Sequence, residues 1–285
     1  MGTDRFIRIA LPTATVFAFL IAWTVYVHTA EVSAFILPTP MQIVSAFIGL
    51  VSDPDIWGHA LVTVIEAVSG FLIAVVLGIS LGMAMARVQM LEWAFKPFIV
   101  CLQLIPKIAL APLFILWFGF GLESKIVIAA ALAFFPVFSN ALVAFRSVEP
   151  GDRDVFTMLQ ANPVQRFTML DLPTALPVVL AGMEVAVVMS MIGAIVGEFI
   201  GGNEGLGYLA VAMLQELQVP GLFAVIVLLT LIGLTLYTLI AQLRGWLTPW
   251  HASVRVNPGM VRKRGNRFSF TNSVRTANQT ASSIP

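Results

Sequence analysis

The sequence predicts an all-α fold: a polytopic helical membrane protein with six transmembrane helices and both termini in the cytoplasm. Three observations carry this. Apolar residues make up 59% of the chain and charged residues 11%, against about 25% charged in a soluble domain. Six apolar stretches each supply roughly the 20 residues that a helix needs to cross the hydrocarbon. With six spans drawn, 14 of the 16 Lys and Arg residues fall on one side, the asymmetry that marks a cytoplasmic face.

The spans are expected near Ile9–His28, Leu61–Ala86, Pro97–Phe118, Ile126–Phe145, Leu176–Ile200 and Leu222–Leu243. The first is too long for a signal peptide and has no small-residue cleavage site before Glu31, so it reads as a retained span. Arg5, Arg8, Arg87, Lys96, Arg146, Arg153, Arg166 and seven C-terminal residues form the cytoplasmic set, leaving only Lys107 and Lys125. The opposite loops carry Glu31, Asp53, Asp55, Glu204 and Glu216. Residues 1–251 thus make the membrane domain. Residues 252–285 are polar, basic and aperiodic, and are expected to be a disordered cytoplasmic tail. Its Arg262, Lys263, Arg264 and Arg267 either rest on anionic headgroups or are simply solvated.

Thr39 followed by Pro40 gives the N-cap and first position of a short helix along the outer interface. Gly78 with Gly82, and Gly193 with Gly197, mark either close helix contact around a pore or the general abundance of glycine in membrane helices. Pro106, Pro112 and Pro136 are expected to interrupt spans three and four. Broken helices are tolerated where protein or a cavity satisfies the freed carbonyls, which favours a transport pathway over a passive anchor.

The chemistry-bearing residues form no catalytic constellation. Cys101 is the single cysteine, and His28, His59 and His251 are scattered. HExxH, a nucleophile elbow and a GxxxxGK[ST] phosphate loop are all missing, so no enzyme activity, cofactor or metal is expected. Gly201, Gly202, Gly205 and Gly207 lack the strand that a dinucleotide loop follows and read as a turn-rich external segment. Glu66, Glu184 and Glu198 fall in or at the edge of spans, where each requires a partner or a water-filled path. Glu66, near the outer end of span two, reads as a snorkelling interfacial side chain. Glu184 either faces a pore or pairs with a neighbouring span. Lys107 either faces a cavity, where it would favour an anionic solute, or only marks a helix break in the membrane's inner half.

Between spans four and five, Asp152–Pro173 has helical order of its own. Asp152 is the expected N-cap of a helix with Val155, Phe156 and Leu159 on one side. Asn162 and Pro163 start a second helix that carries Phe167 and Leu170 and stops at Pro173. Two short helices with exposed apolar knobs, held between membrane spans, read as a docking surface. The stretch resembles the cytoplasmic loop of bacterial ABC-importer permeases: Glu-Ala-Ala, three residues, Gly, nine residues, Ile, one residue, Leu-Pro. Laid back from Leu172 and Pro173, Leu170 falls on the Ile, Gln160 on the Gly, Asp154 on the Glu, and Val155 and Phe156 on the two Ala positions. ILPTP at 36–40, LIPKIALAPLFILWFGFGLESK at 104–125, LPTALPVVLAG at 172–182 and IVGEFIGGNEGLGYL at 195–209 are similar to the nitrate, taurine and aliphatic-sulfonate branch of these permeases.

The resemblance implies a transmembrane permease subunit in the bacterial inner membrane. It would pass a small solute, a nitrate-, sulfonate- or taurine-like anion or a thiamine-related pyrimidine. A separate ATPase would dock on Asp154, Val155, Phe156, Leu159, Gln160, Ala161, Leu170 and Pro173, and an external solute-binding protein would deliver cargo. A second copy would complete a homodimer, and no nucleic acid is involved. Lys107, Glu184 and Glu198 are the candidate pathway or gate residues, with Glu198 in an outer gate region or fixing the loop that follows it. The alternative is a secondary transporter or channel driven by an ion gradient through Glu66 or Glu184.

Overall fold

The computed structural model describes residues 2–250. The tail expected at 252–285, with its Arg262 cluster, lies outside the described residues. The chain divides into units Met1–Arg244 and Gly245–Pro285. The helical bundle is the first, and Gly245–Leu247 of the second complete the last helix.

The elements are α1 (Gly2–Thr29), α2 (Pro40–Ser52), α3 (Asp55–Arg87), α4 (Gln89–Leu104), a 3-10 turn (Lys107–Leu110), α5 (Ala111–Phe118), α6 (Leu122–Arg146), α7 (Pro150–Met158), α8 (Pro163–Arg166), a π turn (Phe167–Asp171), α9 (Leu172–Gly201), α10 (Leu206–Gln215) and α11 (Val219–Leu247). No strand occurs among the described residues. Thr39 caps α2 as expected: its hydroxyl accepts from the Gln42 N–H while the Gln42 side chain accepts from the Thr39 N–H, with Pro40 in the first turn.

α6 is the centre of the bundle, with α3 and α9 packed along it. Gly70, Ala74, Gly78 and Gly82 form an i+4 ridge on α3 that faces Ala129, Ala133, Val137 and Ala141 of α6. A methyl group on Gly70 would come within 2.5 Å of the Ala129 Cβ, and one on Gly78 within 2.9 Å of Val137. On α9, Gly182 lies against Asn140, Gly193 against Ala129 and Gly197 against Lys125. The glycine pairs are therefore contact residues, because only small side chains let two backbones approach this far. Phe71, Ala186 and Val187 fill the space between the ridges.

These contacts also fix direction. Numbers rise together along α3 and α6, so the two helices run parallel; they run oppositely along α6 and α9. Arg87 and Leu122 consequently lie at opposite ends of the bundle, and the chain between them must cross it. It does so as two helices, α4 and then the 3-10 turn with α5, bent by 85°. Five helices are long and apolar enough to cross alone, and the bent pair is the sixth crossing. Arg87, Arg146, the α7–α8 loop and Arg244 gather at one end, and Asp53, Asp55 and Glu204 at the other.

Of the three prolines expected to interrupt spans, only Pro106 sits at a break, where Ile105 and Pro106 are extended. Pro112 lies in the first turn of α5, where its missing N–H costs nothing. Pro136 lies inside an unbroken α6, and the Asn140 side chain donates to its carbonyl at 2.8 Å.

Gly193→Ala is expected to overpack α9 against α6, where the Ala129 Cα would lie 2.6 Å from the new methyl, and to cost about 1–3 kcal/mol. Gly58→Ala, with open space around it, leaves stability unchanged or raises it. Thermal unfolding of the detergent-purified variants compares the two.

Candidate functional site

At the basic end, α7 begins one turn earlier than Asp152 predicts. Glu149 is the N-cap and Pro150 the first helical residue, because a residue before proline is driven to extended backbone and proline's φ is preset for the helix. Asp152 lies in the first turn. α7 ends in a Schellman turn: the Ala161 N–H donates to the Phe156 carbonyl and the Gln160 N–H to the Thr157 carbonyl, both at 3.0 Å. Gln160 takes φ +53°, the left-handed conformation that glycine adopts most readily. Asn162 then caps α8, its side chain accepting from the Gln165 N–H at 2.8 Å while the Gln165 side chain accepts from the Asn162 N–H at 2.9 Å.

The expected stop at Pro173 does not occur. Residues Pro163–Gly201 run on as one helical segment of 39 residues. The π turn widens the backbone just ahead of Pro173, where a regular α turn would press the proline ring on the carbonyl four residues back. Leu170, 7% exposed, is part of the packing. The exposed apolar face comprises Val155, Met158 (83% exposed), Leu159 (71%) and Val164, whereas Phe156 is half-buried and Asp154 and Gln160 are exposed. Ala161 and Pro173 are half-buried. Met158, absent from the sequence reading, is on the same helix face as Val155 and Leu159 at spacings of three and four.

The opposite end holds a buried polar cluster. Glu66 is fully buried, so it is not the snorkelling side chain its position predicts; the Lys125 ammonium of α6 lies 3.3 Å from its Oε1. Thr63 donates to Glu198 Oε1 at 2.6 Å and accepts from the Leu206 N–H at 2.8 Å. Glu198 Oε2 accepts from the Gly207 N–H at 2.6 Å, and His59 Nδ1 accepts from the Gly205 N–H at 3.0 Å. Glu198 thus ties the turn before α10 back to α3 and α9. Gly205 has φ +104°, and a side chain there would collide with the Glu198 carboxylate.

Glu184 pairs with Arg244 of α11 at 3.1 Å, a partner the sequence alone does not name. Lys107 lies at the break after α4, half-buried, with its ammonium 4.5 Å above the ring of Phe135. Phe135 is midway along α6, so Lys107 sits at mid-depth. Lys107 borders two cavities: one of about 480 Å³ lined by aliphatic residues with Phe114 and Phe134, the other of about 560 Å³ with Gln103 and Ser139.

Six crossings, a span broken beside mid-depth cavities and a docking-shaped loop at one end define a multi-pass transport protein. Residues 74–250 match the family described as binding-protein-dependent transport system inner membrane component, and the chain belongs to that family. It is similar to the formylaminopyrimidine transport permease protein ThiX of Halalkalibacterium halodurans, at 36% identity over 84% of this chain and 95% of that one. The riboflavin transport system permease protein RibX of Chloroflexus aurantiacus is also 36% identical, over 84% and 89%. The putative aliphatic sulfonates permease SsuC of Bacillus subtilis is 33% identical, over 81% and 84%. The chain is a permease subunit of an ABC importer for a small solute, not an enzyme. Its family implies an ATPase, a substrate-binding protein and a bacterial inner membrane.

Removing one member of a buried ion pair leaves the other uncompensated, at about 3–5 kcal/mol. Lys125→Met is therefore expected to lower the unfolding temperature sharply, and Glu66→Gln added to it to recover much of the loss. Thermal unfolding of single and double variants measures this.

Proposed function

We propose that the basic end faces the cytosol, with both termini there, and that α7 and its Schellman turn seat in a groove of the ATPase. The exposed apolar face of Val155, Met158, Leu159 and Val164 is the observation that carries this: four apolar side chains at an aqueous end want a protein partner. Asp154 and Gln160 edge the same surface, while Phe156, Ala161, Leu170 and Pro173 support it from the bundle side. Closure of an ATPase dimer would pull on Arg146 and Asn162, the ends of the loop, and shift α6 and α9 between inward and outward access. A homodimer of this chain completes the pathway, with residues 1–251 as its membrane domain and 252–285 as a cytoplasmic tail.

For the solute, the aromatic lining around Lys107 supports a small nitrogen heterocycle, the class named for two relatives at 36% identity. The Lys107 cation supports a second reading, a sulfonate anion as named for a third. Glu184, held by Arg244, and Glu198, held by Thr63 and Gly207, act as structural anchors beside the path, with Glu198 at its outer gate.

Leu159→Asp is expected to abolish both uptake and co-purification of the ATPase while leaving yield and monodispersity intact; normal import would overturn the docking surface. Lys107→Met is expected to reduce sulfonate uptake about tenfold, the loss of one charge-assisted contact, and to leave uptake of a neutral heterocycle near wild type. Labelled-solute uptake into vesicles reads both.

A further inference from the structure

Behind the α7–α8 loop lies a cavity of about 340 Å³ that the docking surface does not use. It opens where three crossing helices end: Arg87 closes α3, Phe145 lies in the last turn of α6, and Asp171 precedes α9. Arg153 and Arg166 close it from the loop. Arg153 is on the opposite side of α7 from Val155, Met158 and Leu159, so the cavity faces the bundle and not a partner seated on the apolar face. Three guanidiniums meet one carboxylate. Arg87 is spoken for, paired with Asp171 at 3.0 Å and stacked 5.2 Å from the centre of the Phe167 ring. Arg153 reaches only the Phe145 carbonyl, at 3.4 Å, and its Nε is buried without a partner. The Arg166 guanidinium has no hydrogen bond or ion pair among the described residues. Two positive charges are left facing a concave space.

We propose that this cavity binds the phosphate of an anionic phospholipid headgroup. Guanidinium forks match phosphate oxygens bidentately, and basic pockets between membrane helices at the cytoplasmic level suit such headgroups. The ends of α3, α6 and α9 put the cavity at that level, and Ala86 and Phe145 give it an apolar wall on the bilayer side. A two-phosphate lipid of the diphosphatidylglycerol class matches the surplus charge of two. The assignment rests on the reading that this end is cytosolic, and it places the lipid between the loop and the helices the loop drives.

The test is native mass spectrometry of the full chain in detergent with diphosphatidylglycerol, with phosphatidylethanolamine, and with inorganic phosphate alone. The wild type is expected to retain diphosphatidylglycerol over phosphatidylethanolamine. Arg153→Gln with Arg166→Gln should cut that retention about tenfold, and Lys96→Gln, on the same end and largely exposed, should not. Neither Arg153 nor Arg166 is in an ion pair, so unfolding temperature should hold. Equal lipid retention in the double variant overturns the site. Tight binding of inorganic phosphate overturns the lipid as its occupant, as does a double variant that keeps lipid yet loses the ATPase. Failure of the importer reading shows separately, as a wild-type chain that captures no ATPase.

Discussion

In a bilayer, helices gain nothing from hiding apolar side chains from one another, since lipid tails are as apolar as leucine. What holds α3 and α9 to α6 is contact distance. The ridge Gly70, Ala74, Gly78 and Gly82 brings two backbones close enough for dispersion along their length, and Gly182, Gly193 and Gly197 repeat the arrangement from the other side. The buried charges at the end opposite the basic one depend on that approach. Lys125 meets Glu66 only because α3 and α6 run parallel and in a fixed register, and Glu198 meets Thr63 only because α9 is held beside α3.

The two polar ends use different chemistry for the same purpose. At the basic end, backbone turns do the shaping: a proline-led helix start, a Schellman turn through Gln160 and a capping box at Asn162. At the other end, side chains do it, with Glu198, Thr63 and His59 receiving or passing on the N–H groups that a glycine-rich turn leaves over. Between them Lys107 sits at a break in the backbone, where cavities rather than helix lie beside it.

Much of this was legible in the sequence, and the parts that were not have a common cause. Spans, the Thr39 and Asn162 caps and the two short helices between α6 and α9 follow from local composition and spacing. The burial of Glu66 is not legible because its partner is 59 positions away, on a helix whose packing against α3 no local signal reports. Continuation of the helix through Pro173 is not legible because a π turn, which widens the backbone, has no residue signature comparable to a cap. Asp152 lost the N-cap to Glu149 because Pro150 is the stronger start signal, visible in the sequence but outweighed by the acid's capping preference. Met158 carries no sequence signal, since a single methionine at helical spacing is ordinary; only its exposure distinguishes it.

The continuity of α8, the π turn and α9 has a mechanical meaning. At about 1.5 Å per residue, the 39 residues from Pro163 to Gly201 form a rod of roughly 58 Å, longer than the bilayer is thick. One extremity carries the turn at Gln160 and Asn162, and the other carries Glu198. A stiff rod pivoting within a close-packed sleeve cannot tilt at one extremity alone. Displacement of the loop and strain on the turn after Glu198 are two readings of a single angle, with the α9 glycines that lie against α6 as its fulcrum.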